Sequence, residues 1–456
     1  MNAPASGAAT RSSLPRVVAA SLIGTTIEWY DYFLYGTAAA LVFGKLFFPH
    51  SDPLTGTLLS FLTYAIGFAA RPLGALVFGH FGDRVGRKRL LVVSLLLMGG
   101  STTAIGLLPT YDSIGVAAPV LLTTLRLVQG FALGGEWGGA VLLVSEHGDQ
   151  RRRGFWASWP QGGAPAGNLL AAGVLSLMTT LQSDADFLSW GWRVPFLLSA
   201  VLVGIGMWIR LAVEESPLFR QAMANKPEAE QAPLVGVLKH HWREVLVAMG
   251  ARMAENISYY VMTTFVLTYA VSHAHFAKQS ALNAVLIASA IQFALIPLFG
   301  ALSDRVGRKP VYLVGAAGVG VWAFVFFGMV DTHSFPQLVL AVTVGLVFHS
   351  AMYAPQAAFF SELFATRLRY SGASIGAQFA SVAAGAPAPL IATALLKDYG
   401  SSTPISVYVA IAAAVTVLAV LCGRETRGQD LAGIAAEQEP AGQSADAAAA
   451  GKPAVA

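Results

Sequence analysis

A short basic pattern, G-x-x-x-D-R-x-G-R-K, occurs twice in this chain of 456 residues. One copy runs from Gly79 to Lys88 and the other from Gly300 to Lys309, so about half the chain separates them. Each copy lies between two long apolar stretches. A short basic segment repeated at about half the chain length predicts two homologous halves, as in membrane proteins built from internal repeats.

The composition independently indicates a membrane protein. Hydrophobic residues make up 55% of the chain and charged residues 12%, whereas soluble domains contain about 25% charged residues. The apolar stretches reach the roughly 20 residues that a helix needs to cross a bilayer. The single cysteine, Cys422, excludes an internal disulfide and a cysteine-based metal site. The N-terminal segment 1–16 is polar and lacks the pattern of a signal peptide.

Twelve apolar stretches predict an all-α membrane protein with twelve transmembrane helices in two six-helix halves. We place the helices at about 17–43, 55–80, 90–108, 117–144, 155–180, 191–213, 244–272, 279–302, 311–330, 337–360, 371–396 and 402–423. The predicted domains are a tail (1–16), an N-terminal bundle (17–213), a polar central loop (214–243), a C-terminal bundle (244–423) and a disordered tail (424–456).

Basic residues concentrate in alternate connections between these stretches. One set of connections holds most of the arginines, including Arg151, Arg152 and Arg153, whereas the opposite set holds only Lys45 and two further lysines, Lys278 and Lys397. The positive-inside rule then predicts that both termini and the central loop are cytoplasmic. Since the basic residues are scattered between spans, we expect no nucleic-acid partner.

Two acidic residues share one helix face in the first span. Glu28 and Asp31 are three positions apart, and Tyr32 and Tyr35 extend the same face. Ionisable residues at mid-span are costly and usually functional, and burial favours the protonated carboxylic acid. The pair therefore predicts a proton-coupling site, with a polar stripe that only pairs helices as the alternative.

Arg126 lies near the middle of the fourth span, with Gln129 one turn further and Glu136 beyond it. A buried arginine needs an anion, which Asp31, Glu28 or a substrate carboxylate could supply in turn. We predict that Arg126 takes part in both proton coupling and substrate binding, that Gln129 contacts substrate and that Glu136 assists proton coupling. A static ion pair is the alternative.

The seventh span is the second-half equivalent of the first and carries Arg252 and Glu255, again three positions apart. Arg252 could hold a carboxylate with two parallel hydrogen bonds, although an ion pair within the helix is the competing interpretation. Single polar residues in spans more often bond neighbouring helices than ligands. The further predicted substrate contacts are Asn256, Tyr260, Tyr32, Tyr35, Gln161, His349, Gln356 and Gln378.

The duplicated loops predict a conformational latch. Asp83 and Asp304 can accept hydrogen bonds from the N-terminus of a neighbouring helix, where the dipole favours an anion. Glycines permit a tight turn, and the basic side chains can reach lipid phosphates; plain topology signals are the alternative. The predicted latch residues are Gly79, Asp83, Arg84, Gly86, Arg87, Asp304, Arg305, Gly307 and Arg308.

Taken together, these residues resemble the major facilitator superfamily and, within it, the metabolite:proton symporter family. The resemblance covers about 17–423 and includes the duplicated loop, segments 28–31, 134–139 and 187–193, and Arg252 with Glu255. It implies a twelve-helix fold and proton-coupled transport by alternating access, with Arg126 involved in proton handling. The segment Gly163–Gly167 resembles the motif of drug:proton antiporters incompletely, because Ala164 replaces a glycine.

The candidate anion partners Arg126 and Arg252 favour an acidic substrate. We therefore predict a proton-coupled symporter that imports a small organic acid, shikimate-like or another short carboxylate. The alternatives are a transporter of a zwitterionic osmolyte or amino acid such as betaine or proline, and an exporting proton antiporter. We expect no enzyme, metal or cofactor site; the expected partners are substrate, protons and the lipid bilayer, around a monomer in the bacterial inner membrane.

Overall fold

The computed structural model describes residues 14–74, 77–78, 87–134, 150–212, 241–363, 379–385 and 387–429. Within these ranges the ordered elements are helices, which follow one another in the order that the twelve predicted spans require. The helices of the N-terminal half are α1 (Leu14–Ala38), α2 (Pro53–Ala69, continued to Gly74), α3 (Arg87–Leu107), α4 (Ala117–Leu133), α5 (Arg153–Gln161 and Gly163–Leu181) and α6 (Arg193–Ala212).

The C-terminal half repeats this order after the central loop, most of which lies outside the described residues. Its helices are α7 (Trp242–Tyr260), α8 (Lys278–Val306), α9 (Arg308–Val330), α10 (Phe335–Leu363), α11 (Ala388–Tyr399) and α12 (Thr403–Cys422). When the helical continuations of α1 to Phe47 and of α7 to Ser272 are counted, these bounds agree with the predicted spans to within a few residues wherever the chain is described on both sides. The predicted domain boundaries themselves stay predictions.

Length and composition show which helices are built to cross a bilayer. In the part of the chain that the structure describes, six helices are long and apolar enough, or seven when the bent pair Asp184–Gly191 and Arg193–Trp208 is one span. Two more, Val92–Leu107 and Ala117–Leu133, are apolar but shorter. Helices α1 and α7 carry the acidic and basic residues predicted to be functional, and such residues lower the apolar character of a span.

The repeat seen in the sequence recurs in the backbone. Helix α1 passes into a π-helical turn at Ala39–Phe43, and α7 passes into one at Val261–Phe265. The separation of these turns along the chain matches that of the duplicated loops to within one position. Since π-helical turns are rare and frequently lie at functional sites, the shared irregularity supports α1 and α7 as equivalent helices.

A close approach of two glycines brings α2 against α4. A Cβ atom on Gly130 would overlap the carbonyl of Gly67, and a Cβ atom on Gly67 would lie 2.8 Å from Cγ and Nε of Arg126. Small residues allow membrane helices to pack backbone to backbone. Gly67 therefore leaves the space that the Arg126 side chain occupies.

The two halves contact each other at both ends of the bundle. We call the end with Arg153, Asp304 and Arg308 the basic end. At the opposite end, Lys278 Nζ lies 3.1 Å from Asp184 Oδ1 and Lys397 Nζ lies 3.7 Å from Asp52 Oδ2. These contacts join α8 to the α5–α6 connection and α11 to the start of α2, so the halves also meet at the end opposite the basic end.

Candidate functional site

Charged and aromatic side chains of α1, α2 and α4 meet in a small buried space, which we call the N-terminal pocket. Helix α1 supplies an acidic pair and a tyrosine, α2 supplies an arginine, and α4 supplies an arginine and a glutamine. The lining includes Glu28, Asp31, Tyr32, Arg71, Arg126 and Gln129.

Asp31 is held by a helix far away in sequence. Its side chain is 2% exposed, and Oδ1 accepts a hydrogen bond of 2.6 Å from Ser199 of α6. Oδ2 is buried and has no hydrogen-bond partner among the described residues. A buried carboxylate oxygen without a donor is unfavourable when charged, and a proton bound there would remove that charge. The geometry thus suits the proton-coupling role predicted for Asp31.

Arg126 is 3% exposed, and aromatic rings lie around its guanidinium group. Its Nη1 donates to Gln129 Oε1 at 3.0 Å, and Gln129 Nε2 donates to Thr102 at 2.6 Å. The guanidinium carbon lies 4.5 Å from the ring centre of Tyr35 and 5.0 Å from that of Tyr32. The ion pairs of the described residues do not include Arg126, and its predicted pairing with an acidic side chain or a substrate carboxylate stays a prediction.

The sequence analysis missed Arg71. This side chain is 6% exposed and lines the N-terminal pocket beside Arg126. A signal was present, because Arg71 is an arginine inside the apolar stretch predicted at 55–80, and an ionisable residue within a span is a functional candidate by default.

A second space, the C-terminal pocket, lies between α7, α10 and α1. Glu255 of α7, 4% exposed, is at its centre. Its Oε2 lies 3.4 Å from Arg252 Nε and accepts hydrogen bonds from Asn256 at 3.0 Å and Gln356 at 3.2 Å. The lining includes Trp29, Phe33, Glu255, Tyr259, His349 and Tyr353.

His349 of α10 completes this network. It is 1% exposed, with Nε2 3.5 Å from Glu255 Oε1 and Nδ1 2.7 Å from the side-chain amide of Gln292 on α8. Gln356 also donates to Tyr312 at 3.0 Å. The charge of Glu255 is therefore met within the C-terminal half.

An aromatic layer separates the two pockets. Tyr32 and Tyr260 have ring centres 6.0 Å apart, and Phe33 and Tyr259 have theirs 5.3 Å apart. These rings belong to α1 and α7, the equivalent helices of the two halves. A substrate that contacts both pockets would have to displace them.

Four further residues of the predicted site lie beside the pockets or outside the described part of the chain. Tyr35 shares a hydrogen bond of 2.6 Å with Thr63 while its ring faces Arg126. Gln161 of α5 donates to the carbonyl of Tyr353 at 3.2 Å and so joins the halves. Glu136 and Gln378 lie outside the described residues.

At the basic end, Asp304 accepts hydrogen bonds of 2.8 Å from the backbone N–H groups of Gly154 and Phe155, at the start of α5. Anions are favoured at a helix N-terminus. Gly307 adopts φ +110° between α8 and α9, a conformation that L side chains rarely adopt. The same contacts cannot be compared in the first duplicated loop. Outside the described residues lie Gly79, Asp83, Arg84, Gly86 and the side chain of Arg87. The latch role of both loops stays a prediction.

Two arginines converge on one carboxylate beside Asp304. Glu362 Oε1 lies 2.9 Å from Arg153 Nη1 and 3.2 Å from Arg308 Nη2, and Arg308 Nη1 lies 2.7 Å from Asp304 Oδ1. Arg305, by contrast, is exposed. Since Arg153 belongs to α5 and Glu362 to α10, this cluster also joins the halves.

The segment after α12 packs on the same cluster. Glu425 accepts hydrogen bonds from the backbone of Arg308 at 2.9 Å and Lys309 at 3.0 Å. Burial raises the pKa of Glu425, but these and neighbouring backbone donors outweigh burial and leave that pKa below its usual value. The carboxylate therefore stays ionised at the N-terminus of α9.

Comparison with known families separates the chain into two parts. Residues 17–237 match the family described as "Sugar (and other) transporter", and residues 253–452 match the Major Facilitator Superfamily. The gap between the two matches, 238–252, covers the end of the predicted central loop and the first part of α7.

Full-length relatives extend this likeness. The chain is 42% identical over 425 residues to the inner membrane metabolite transport protein YhjE of Escherichia coli (strain K12), covering 92% of this chain and 96% of that protein. It is 38% identical over 427 residues to the shikimate transporter of the same strain, covering 93% and 98%. The proline/betaine transporter of that strain is 32% identical, with 92% and 85% covered.

Solved structures agree on the fold. A structure of the proton:xylose symporter XylE superposes with a TM-score of 0.71 at 17% identity and covers 93% of this chain and 99% of that one. This likeness confirms the predicted fold class, a helical membrane protein of two six-helix halves. From its sequence relatives and its fold, the chain belongs to the major facilitator superfamily, as a multi-pass membrane transporter related to the shikimate transporter.

Proposed function

We propose that this transporter is a proton-coupled symporter that imports a small organic acid by alternating access. One observation carries the proposal: the N-terminal pocket combines Asp31, with a buried and unpartnered oxygen, and Arg126, which no described carboxylate pairs with. A proton acceptor and an anion acceptor thus share one buried space. Binding of a proton to Asp31 then changes the electrostatic environment of an anion at Arg126, and binding of the anion changes that of Asp31.

The charges of the pocket suggest how the two events are coupled. Its lining includes two carboxylates, Glu28 and Asp31, and two guanidinium groups, Arg71 and Arg126. With both acids ionised these charges balance, and protonation of Asp31 leaves one excess positive charge. Unbalanced charge is costly at low dielectric, so a monocarboxylate would restore neutrality. This count supports one proton for each monocarboxylate.

The remaining parts of the proposal follow from the family architecture and the distribution of basic residues. The closed contacts at the two ends would open in turn, as transporters with repeated halves do. Loops that carry Arg153 and Arg308 would face the cytoplasm under the positive-inside rule, with both termini on that side of a bacterial inner membrane. The protein would act as a monomer, with the Asp304 cluster as a latch.

A zwitterionic substrate such as betaine is the second candidate, and the C-terminal pocket is the reason. Trp29, Phe33 and Tyr259 line it around Glu255, and aromatic rings attract quaternary ammonium groups. We rank this candidate second because Glu255 already has Arg252 and His349 as partners. One relative is named as a proline/betaine transporter, and another as a shikimate transporter.

Transport by purified protein in proteoliposomes tests the proposal, with shikimate and glycine betaine as labelled probes. An inward proton gradient should accumulate shikimate above the outside concentration, and a protonophore should abolish that accumulation. Simultaneous pH recording should give one proton for each shikimate. Accumulation of betaine but not shikimate would establish the second candidate, and uptake of either probe that is driven by an outward proton gradient would instead establish antiport.

A further inference from the structure

Arg71 is a buried cation that the ion pairs of the described residues do not include, although Glu28 and Asp31 line the same pocket. Its guanidinium carbon lies 4.1 Å from the ring centre of Phe68 and 4.7 Å from that of Tyr32. Its Nε atom is buried without a hydrogen-bond partner in the described part of the chain. Stacking on rings orients the planar group but supplies no acceptor for its N–H donors.

The other buried arginines of the described residues show how the protein usually treats such a group. Arg153 and Arg308 are paired with Glu362, and Arg252 lies beside Glu255. Arg126 has an amide as its partner. A buried Nε without an acceptor does not set Arg126 or Arg71 apart, because the Nε of the paired Arg153 lacks one as well. Arg71 and Arg126 are thus the two that do not pair with a described carboxylate.

These two arginines approach the same tyrosine. The guanidinium carbon of Arg71 lies 4.7 Å from the ring centre of Tyr32, and that of Arg126 lies 5.0 Å from it. Both line the N-terminal pocket. Two like charges held near one ring at low dielectric repel each other. An anion that contacts both guanidinium groups would reduce this repulsion and would also accept hydrogen bonds from their unpartnered N–H groups.

We propose that Arg71 and Arg126 together bind the carboxylate of the substrate beside Tyr32, so that the N-terminal half alone recognises the anion. This inference rests on the proposed function and names the subsite for its acid. A carboxylate suits the place because its two oxygens accept several hydrogen bonds at once, and guanidinium groups offer paired donors in a planar fork. Arg252, which the sequence predicted as a carboxylate ligand, is then a partner of Glu255 instead.

Two substitutions of Arg71 test the subsite. Arg71→Gln removes the charge, whereas Arg71→Lys keeps the charge and the contact with the rings but loses the planar fork. Arg193→Gln is the matched control, since Arg193 is an arginine of the same half that donates to the carbonyl of Gly106 at 3.0 Å, away from the pocket. The probes are shikimate, lactate, succinate and 2-oxoglutarate, with methyl shikimate as the neutral counterpart of the first.

Binding is measured by calorimetry on purified protein in detergent. We expect Arg71→Gln to weaken binding of the best acid by about tenfold or more, the usual effect of losing a hydrogen bond to a charged group. The affinity of Arg71→Lys for that acid should lie between those of Arg71→Gln and the wild type, and Arg193→Gln should bind it as tightly as the wild type does. The preference for shikimate over its methyl ester should shrink in Arg71→Gln, a change that general loosening of the fold would not produce.

Each other outcome overturns the inference in a distinguishable way. If acids bind Arg71→Gln and Arg71→Lys as tightly as the wild type, Arg71 is not part of the subsite, although acid transport can still stand. If Arg71→Gln weakens the acid and the ester equally, the role of Arg71 is structural. If none of the four acids binds the wild type, the proposed function fails and the subsite with it.

Discussion

The N-terminal and C-terminal pockets are built from corresponding helices, α1 with α4 and α7 with α10. In the C-terminal pocket, Glu255 has Arg252, His349, Asn256 and Gln356 around it. The N-terminal pocket contains two guanidinium groups that no described carboxylate pairs with, and Asp31 has a buried oxygen without a donor. Glu255 is thus held by several described partners, whereas the ion pairs of the described residues do not join the carboxylates and guanidinium groups of the N-terminal pocket, and this supports the proposal that this pocket binds a proton and an anion.

This difference shows how a duplicated fold can divide its tasks. Arg252 follows Asp31 at the same spacing as that of the two duplicated loops, so a guanidinium in one half corresponds to a carboxylate in the other. The backbone repeat is kept, as the π-helical turns of α1 and α7 show. The backbone geometry is thus kept while the charges differ, in line with the proposal that the N-terminal pocket binds the proton and the anion.

Asp31→Asn should have the largest effect. The amide cannot release or take up a proton at working pH, so we expect no proton-driven accumulation of shikimate in proteoliposomes, while exchange of shikimate across the membrane continues. The measurement compares gradient-driven uptake with counterflow at equal protein density. Asp186→Asn, an exposed acid of the same half, is the control, and accumulation by Asp31→Asn would place proton coupling elsewhere.

Glu255→Gln should mainly reduce stability. Removing one partner of a buried ion pair typically costs about 3–5 kcal/mol, and here the buried charge of Arg252 would lose its contact with Glu255. In Glu255→Gln/Arg252→Gln both charges are gone, so most of the lost stability should return. Thermal unfolding in detergent of the two single variants and the double variant gives the coupling energy.

Substrate affinity sharpens the same comparison. If the C-terminal network is structural, the double variant should bind shikimate within a few-fold of the wild type. Additive losses of stability, or a collapse of acid affinity in the double variant, would show that Glu255 and Arg252 act on the substrate directly.

Gly67→Ala should have the smallest effect. The new Cβ would lie 2.8 Å from Cγ and Nε of Arg126, so that side chain must shift, and overpacking of this kind typically costs about 1–3 kcal/mol. We expect a several-fold loss of shikimate affinity by calorimetry. Gly173→Ala is the control, because its Cβ would meet only Leu286 Cδ1 at 3.6 Å. Equal affinities in the two variants would separate Arg126 from the binding site.

Much of the fold could be predicted from local properties of the chain. Apolar length, the duplicated loop and the distribution of basic residues predicted twelve helices in two halves, and the family and fold comparisons confirm that class. Several predicted residues do lie in the two pockets, among them Asp31, Arg126, Glu255 and His349. Arg71 was missed although the rule that identified Asp31 applied equally to it.

The tertiary structure decided which side chains form hydrogen bonds with groups on other helices. The sequence indicated which side chains are buried and ionisable, because burial in a span follows from the residues around it. It did not indicate that Asp31 bonds to Ser199 of α6, and although it predicted that Asp304 caps a neighbouring helix, it did not indicate that this helix is α5 of the other half. Hydrogen bonds depend on atoms meeting within about 3 Å, and only the packing of distant helices brings such atoms together. The contact of Arg252 with Glu255, three positions along the same helix, was by contrast one of the sequence interpretations, whereas the packing of distant helices decided that Arg71 and Arg126 line one pocket.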